Sequence, residues 1–530
     1  MIYFIVIYVI CAIYMVLNFK YDLQMFQQNS YRIKRYWKWL QPNIGSAWRL
    51  TDVACLFLMF ATQLLDFRLS ALIVGVVALS KIFLILRRKA KKPLVFTRRV
   101  WRLYSLTAGL SIGAVAAMAI LSWGKVWGIY SGVNLTLGLI MVITIFSWAV
   151  MMLAHEMLVP VERQIQRGYI NDAKRILRSM PDLRVVGITG SYGKTSTKHY
   201  LTRILGEQFD VLMTPGSFNT PMGVVRTIRE YLKPYNEIFV CEMGAKQKGD
   251  IKEICDIVHP EMGIVTAVGP MHLESFKTIE NVCSTKFELV DSLPADGCAV
   301  VNNDFSPCAA RPVTNTRVLR YGIVNPGGCD YTATDIRYTP DGTSFVVNGP
   351  DGFRLELETR LLGECNVSDL LAAVVIALQL GVTSDNIRYA VRSIEQVEHR
   401  LSIKRTPGGV TIIDDAFNSN PSGSKMAVDV LAQFTDGRRI IVTPGMIELG
   451  SEQFNLNREF GRNIGRSLDV AIVVGEYNRE AIVSGIKDAG FDEKNLHVVA
   501  SFNEAQARLA TLLAKGDTVL YENDLPDTFK

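Results

Sequence analysis

GITGSYGKTS, residues 187–196, overlaps the β-rich run RVVGIT (184–189) and leads into TSTKHYLTRIL, whose apolar residues recur at helical spacing. A strand, a glycine turn and a helix start in that order make an anion nest, because the backbone N–H groups of the turn converge at the positive end of the helix. Lys194 adds a point charge for β- and γ-phosphates, and Thr195 offers a hydroxyl to Mg²⁺. The stretch departs from G-x-x-x-x-G-K-[ST] at Ile188, where the first glycine would stand. Thr189, Gly190, Ser191, Gly193, Lys194, Thr195 and Ser196 are the expected nucleotide-binding residues.

Outward from that turn, apolar β runs at 237–241, 263–267 and 298–302 alternate with helical patterns. Such alternation predicts a parallel, doubly wound sheet. Shorter alternating strands between about 314 and 362, punctuated by Gly and Pro, predict a small antiparallel addition. A second αβ series starts near 400, with strands expected at 410–414, 439–443, 470–475, 496–500 and 517–521. The expectation is an α/β chain: a P-loop central domain at 184–396 and a Rossmann-like carboxy-terminal domain at 397–530. Two such domains in tandem leave a cleft suited to two substrates.

The first third differs. Five apolar stretches lie at about 1–18, 51–66, 69–86, 104–123 and 129–154, and 49% of the whole chain is hydrophobic. A membrane span needs roughly 20 apolar residues. An all-α transmembrane region of about five spans is therefore expected over 1–155, followed by a linker helix at 156–183 that Pro181 stops. Residues 1–157 carry 17 Lys/Arg against four acids, a net of +13; with +6 for the whole chain, the remainder carries −7. Those basic residues concentrate at 19–50 (Lys20, Arg32, Lys34, Arg35, Lys38, Arg49) and 87–103. The positive-inside rule puts both loops in the cytoplasm, which leaves the amino terminus outside and everything after His155 inside. The same loops are placed to hold an anionic headgroup or a lipid-linked substrate. Nothing in this pattern calls for nucleic acid. Nine scattered cysteines without a C-x-x-C exclude a zinc ribbon and fit reduced thiols.

The turn and the stretches after it resemble the Mur ligases, ATP-dependent amide-bond formers whose shortened P-loop reads T-G-[ST]-x-G-K-[ST]. The resemblance runs from about Arg184 to the end. It rests on SFNTPMG (217–223), CEMGAKQKGDI (241–251), VGPMHLESF (268–276), STKFEL (284–289), LLGECNVSDLLAA (361–373), EHRL (398–401), DDAFNSNP (414–421) and PGMIELG (444–450). It implies one Mg²⁺ held by Thr195 and Glu242, and a second involving His272 and Lys286. An ammonium has no lone pair for a metal, so the resemblance implies a carbamylated Lys286. Asn366 would then contact adenine, Arg400 a phosphate and Asp415 the ribose. Asn219, Asn418, Asn420 and Glu448 would shape the site for the incoming substrate.

Within the family the chain is most similar to members that add D-alanyl-D-alanine to a muramyl-peptide carboxylate in cell-wall synthesis. The implied chemistry is acyl activation by ATP with two Mg²⁺, Lys194, Lys286, His272 and Arg400 acting on the transferring phosphoryl. The resemblance implies a bacterial inner-membrane enzyme in which membrane spans stand where such proteins carry a domain for the UDP-sugar. The carboxylate is then either the nucleotide-linked muramyl tripeptide or a lipid-linked relative. Two other readings stay open: a ligase of the poly-γ-glutamate type with another amine acceptor, and a nucleotide-binding membrane scaffold without turnover.

Overall fold

The computed structural model describes residues 2–43, 45, 50–63, 67–87, 93–123, 129–339, 342–416 and 419–524. Contacts divide the chain into Met1–Arg167 and Gly168–Leu525. Arg49, Asp66, the basic run 88–92, the turn 124–128 and Asn418 lie outside the described residues.

The first unit is helical: α1 (Ile2–Gln28), α2 (Ile33–Leu40), α3 (Leu50–Gln63), α4 (Phe67–Arg87), α5 (Arg98–Trp123), α6 (Ile129–Ile145) and α7 (Ser147–Arg178), the last continuing past the unit boundary. Three segments are long and apolar enough to cross a membrane: Ile5–Gln28, Arg68–Arg87 and Arg98–Ser122. A fourth is available if Leu135–Ile145 and Ser147–Arg178, bent by 74°, count as one. The expected five are thus not all present among the described residues. Helix α3 has 14 residues, short of a ~30 Å core at 1.5 Å per residue. At the bend the Asn18 amide donates to the Thr144 carbonyl at 3.0 Å and to the Ser147 hydroxyl at 3.1 Å, and Ser147 donates to buried Asp22. A helix break inside an apolar bundle needs such partners for its freed backbone groups.

In the second unit RVVGIT forms β1 (Arg184–Thr189), nearly all buried as a strand covered on both faces must be. Then come α8 (Lys194–Leu205), β2 (Val211–Met213), α9 (Pro221–Glu230), β3 (Ile238–Glu242), α10 (Asp250–Val258) and β4 (Met262–Val265). The chain goes on through α11 (Leu273–Phe276), α12 (Ile279–Asp291), β5 (Cys298–Asn302), α13 (Ser306–Ala309), β6 (Arg317–Gly322), β7 (Tyr331–Thr339), β8 (Gly342–Asn348) and β9 (Arg354–Thr359). Helices α14 (Glu364–Gln379) and α15 (Ser384–Ser393) complete this part. The sheet order is β2-β3-β1-β4-β5-β6-β7-β8-β9, parallel as far as β7 and antiparallel beyond. One face is packed by α8, α14 and α15 around Tyr200, Leu370 and Ile387. The other is packed by α9, α10 and α12 around Val224, Ile254 and Phe287.

A second sheet follows from β10 (Ser402–Arg405), β11 (Thr411–Asp415), α16 (Pro421–Ala432), β12 (Arg439–Thr443), α17 (Gln453–Ser467), β13 (Val470–Val474), α18 (Arg479–Asp488), β14 (Leu496–Val499), α19 (Phe502–Leu512) and β15 (Thr518–Glu522). Its order is β10-β11-β15-β12-β13-β14, with only β10 antiparallel. In the first sheet β1 lies between β3 and β4, where the winding reverses. Ligands of open α/β sheets bind outside the strand carboxyl ends at such a reversal. The glycine turn, Glu242 and the segment 266–272 all leave the sheet there.

Candidate active site

The turn after β1 depends on two glycines. Gly190 and Gly193 have φ of 155° and 78°, and a Cβ at either would collide, with Thr266 and with Asp369 respectively. Side chains tie the turn to the loop after β4. Ser191 exchanges hydrogen bonds with Gly269, donating at 3.2 Å and accepting at 3.1 Å, and Thr266 donates to the Tyr192 carbonyl. Thr189 donates to the Met243 carbonyl at 2.9 Å, so its hydroxyl joins β1 to β3 instead of facing the turn's concavity. Ser196 is buried on α8.

Lys194 bends back over the turn, its ammonium 2.7 Å from the Gly190 carbonyl. Burial pushes it down to about 8, with Arg400 adding to the effect and Glu242 and Asp369 opposing it. A desolvated cation held by backbone carbonyls of the turn is one that an entering polyphosphate would satisfy. Next to it, Thr195 donates to Glu242 at 3.2 Å from both carboxylate oxygens, and Asn219 donates to one of them at 2.9 Å. Lys198 lies 3.0 Å from the other oxygen, fully buried. Burial raises the Glu242 pKa, but Lys198, Lys194 and Asn219 outweigh it and hold the carboxyl below its ordinary range. A carboxylate beside a hydroxyl is a hard-oxygen pair that fits Mg²⁺. Asn219, expected at the substrate, is engaged here by Glu242.

Lys286, on α12, is 3% exposed. Burial, reinforced by Lys194, pushes its amine down to about 7, while Asp250 and Glu288 oppose the shift. His272 has a positive φ of 55°, and its Nδ1 is hydrogen-bonded to Glu448 of the β12–α17 loop. Burial lowers the His272 pKa, Glu448 opposes this, and Lys246 and Lys286 add to it. Lys194 is thus electrostatically paired with Glu242 and with Lys286, and Lys286 with His272. Among the described residues no group of three or more His, Cys, Asp or Glu side chains could hold a metal ion.

Arg400 lies between two residues of positive φ, His399 and Leu401, and lines a cleft of about 570 Å³ with Thr195, His199 and Arg203. Asp415 accepts from the Leu401 N–H at 3.2 Å; burial lifts its carboxyl to about 6 against the pull of Arg400. Asn366 accepts from the Tyr200 hydroxyl at 2.6 Å and donates to the Leu362 carbonyl at 2.7 Å. Its amide thus joins α8 to α14. Asn420 caps α16, accepting from the Gly423 N–H at 2.8 Å.

Three groups were not anticipated. Lys198 follows Lys194 by one helical turn, a spacing that puts both on one face. Asp369, lifted to about 8 by burial against Thr197, Arg400 and Lys194, presses on Gly193. Glu522 ends the apolar strand TVLYE as Glu242 ends IFVCE. It accepts from Ser419 and, at 2.9 Å, from Thr443, and burial, with Asp415 adding to it, lifts its pKa to about 8.

Residues 188–377 match the model of the Mur ligase middle domain, and residues 399–521 match that of the Mur ligase, glutamate ligase domain. The UDP-N-acetylmuramoyl-tripeptide–D-alanyl-D-alanine ligase of Escherichia coli K12 is 30% identical over 343 residues, covering 64% of this chain and 75% of that one. The chain belongs to the Mur ligase family. The ligase of the same name from Mycobacterium tuberculosis H37Rv is 31% identical over 361 residues, covering 64% and 70%. Among solved structures, MurF from Acinetobacter baumannii aligns with a TM-score of 0.62 at 26% identity, covering 68% of this chain and 78% of that one. MurF from Thermotoga maritima in complex with ADP aligns at 0.60 and 28%, covering 68% and 80%. The Mur ligase fold accounts for both sheets, and membership makes the chain an ATP-dependent acid–amine ligase.

Proposed function

We propose that this Mur ligase joins the amine of D-alanyl-D-alanine to a muramyl-peptide carboxylate in cell-wall precursor synthesis, and that it does so at a membrane. The relatives' names support the substrates. The observation that carries the catalytic reading is the gathering of Thr195, Glu242 and Asn219 beside the Lys194 turn.

Thr195 and Glu242 would hold one Mg²⁺, and His272 with Lys286 a second; bound Mg²⁺ would screen charge on the phosphates of ATP. An amine with a pKa near 7 is about half neutral at pH 7, and the neutral form is the one that adds CO₂, so burial of Lys286 supports its conversion to a carbamate with oxygen donors. Lys194 and Arg400 would orient the γ-phosphoryl and stabilise its charge. The substrate carboxylate then attacks that phosphoryl, giving acyl phosphate and ADP. The dipeptide amine attacks the acyl carbon, and phosphate leaves. Asn366 and Asp415 are the proposed base and ribose contacts.

The apolar helices of the first unit support membrane insertion. The basic residues of 19–50 and 87–103 support a cytoplasmic position for them and for everything after His155. Those loops also favour a second reading, a lipid-linked carboxylate drawn to a basic surface. Purified full chain with ATP, Mg²⁺ and D-alanyl-D-alanine should release ADP when given either the soluble UDP-linked tripeptide or its lipid-linked counterpart. Release with one alone identifies the carrier. No release with either, alongside release with another carboxylate and amine, ends the cell-wall assignment.

A further inference from the structure

His272 and Glu448 come from opposite sheets: one leaves β4 of the first, the other follows β12 of the second. Both have left-handed backbones, with φ of 55° and 62°. Each is therefore aimed by a turn of its own. The loop bearing Glu448 is fixed along its length. The Met446 N–H donates to Asn457 at 2.9 Å, and Asn478 donates to the Pro444 and Met446 carbonyls at 2.9 Å each. Leu449 is buried in the second sheet's core. On the facing side, the backbone of Leu273 and Glu274 lies against Gly450, and the Glu274 N–H is 3.4 Å from the Glu448 carbonyl. A carboxylate held this rigidly against Nδ1 accepts a hydrogen bond from Nδ1–H, keeps the proton on that nitrogen and leaves Nε2 with the ring's available lone pair.

We propose that Glu448 is a positioning residue for the second metal site: it fixes the tautomer and orientation of His272, so that Nε2 is presented to a divalent cation. The inference rests on the reading of His272 as a metal-binding residue. It replaces the substrate contact expected for Glu448, and it makes that site complete only when the two sheets are apposed. Carboxylate partners of ligating histidines act in this way, and their loss typically weakens metal binding about 10–100-fold.

The test uses the full chain in detergent with a non-hydrolysable ATP analogue, counting bound Mn²⁺ by electron paramagnetic resonance. Wild type should bind two ions. Glu448→Ala should weaken the second by about 10–100-fold and leave the first unchanged. Glu448→Gln, whose amide oxygen can still accept from Nδ1, should lose less. His272→Ala should lose the second ion, and adding Glu448→Ala to it should change nothing more. Two ions of wild-type affinity in both Glu448 variants, above all with a raised KM for D-alanyl-D-alanine, would overturn the proposal and restore the substrate role. Two normal ions in His272→Ala would instead remove the metal reading beneath it. If Glu448→Ala does not fold, Glu448→Leu, which fills the space without an acceptor, takes its place: a weakened second ion supports the proposal and wild-type affinity overturns it.

Discussion

Lys286 and Phe287 are neighbours on α12, about 100° apart around the helix, and their surroundings are opposite. Phe287 fills the core beneath the first sheet, while Lys286 is buried on the side facing Lys194. Burying an amine that titrates near 7 in the fold and at 10.5 when exposed has a definite stability signature. Between those values the unfolded chain holds a proton that the folded one lacks, so stability rises with pH across that window. Lys286→Met should therefore raise the melting temperature of nucleotide-free, CO₂-free protein most below pH 7, with the gain fading towards pH 10.5. Turnover should be lost, with ATP binding kept. A gain independent of pH would contradict the assigned environment. Lys198→Ala should cost about 3–5 kcal/mol in denaturant melts, because it strands a buried carboxylate. The P-loop lysine, Glu242 and Lys286 were legible because they stand in short local patterns. Lys198 was not, because TSTK reads equally well as a solvated helix face. The His272–Glu448 pair joins residues 176 apart, and no local pattern announces it.

Elements were legible where burial is two-sided. The runs at 184–189, 298–302 and 439–443 coincide with β1, β5 and β12, because a strand covered on both faces has little freedom in composition. Edge strands escaped: β2 has only three residues, and β10, SIKR, is half charged and lies at the rim of its sheet. The helix break near Phe146 escaped as well, because an apolar run carries no mark of where it bends. Asn420, which the motif offers to the substrate, also serves an element. As the cap of α16, Asn420→Ala should lower stability by about 0.5–2 kcal/mol, with Asn420→Asp recovering most of it. Chemical denaturation of the three proteins measures this. A large KM change for the amine substrate with unaltered stability would return the residue to the substrate site.

At the scale of the whole molecule, the helical unit and the ligase unit differ in composition, and the charge division of +13 and −7 already separates them in the sequence. The full chain should stay with membranes through alkaline carbonate extraction, and protease added to inverted vesicles should digest the segment after residue 167. Release by carbonate would reduce the apolar helices to a peripheral bundle. The Lys198–Glu242 pair bears on how the ligase unit fills. A bare cation arriving from solution would meet a carboxylate whose charge is already offset by the buried Lys198 ammonium, itself anchored to the Gly216 carbonyl at 2.7 Å. On the proposed reading, a divalent ion should therefore enter with the triphosphate, and Mn²⁺ titrated into nucleotide-free protein should bind more weakly than Mn²⁺ titrated with an ATP analogue present.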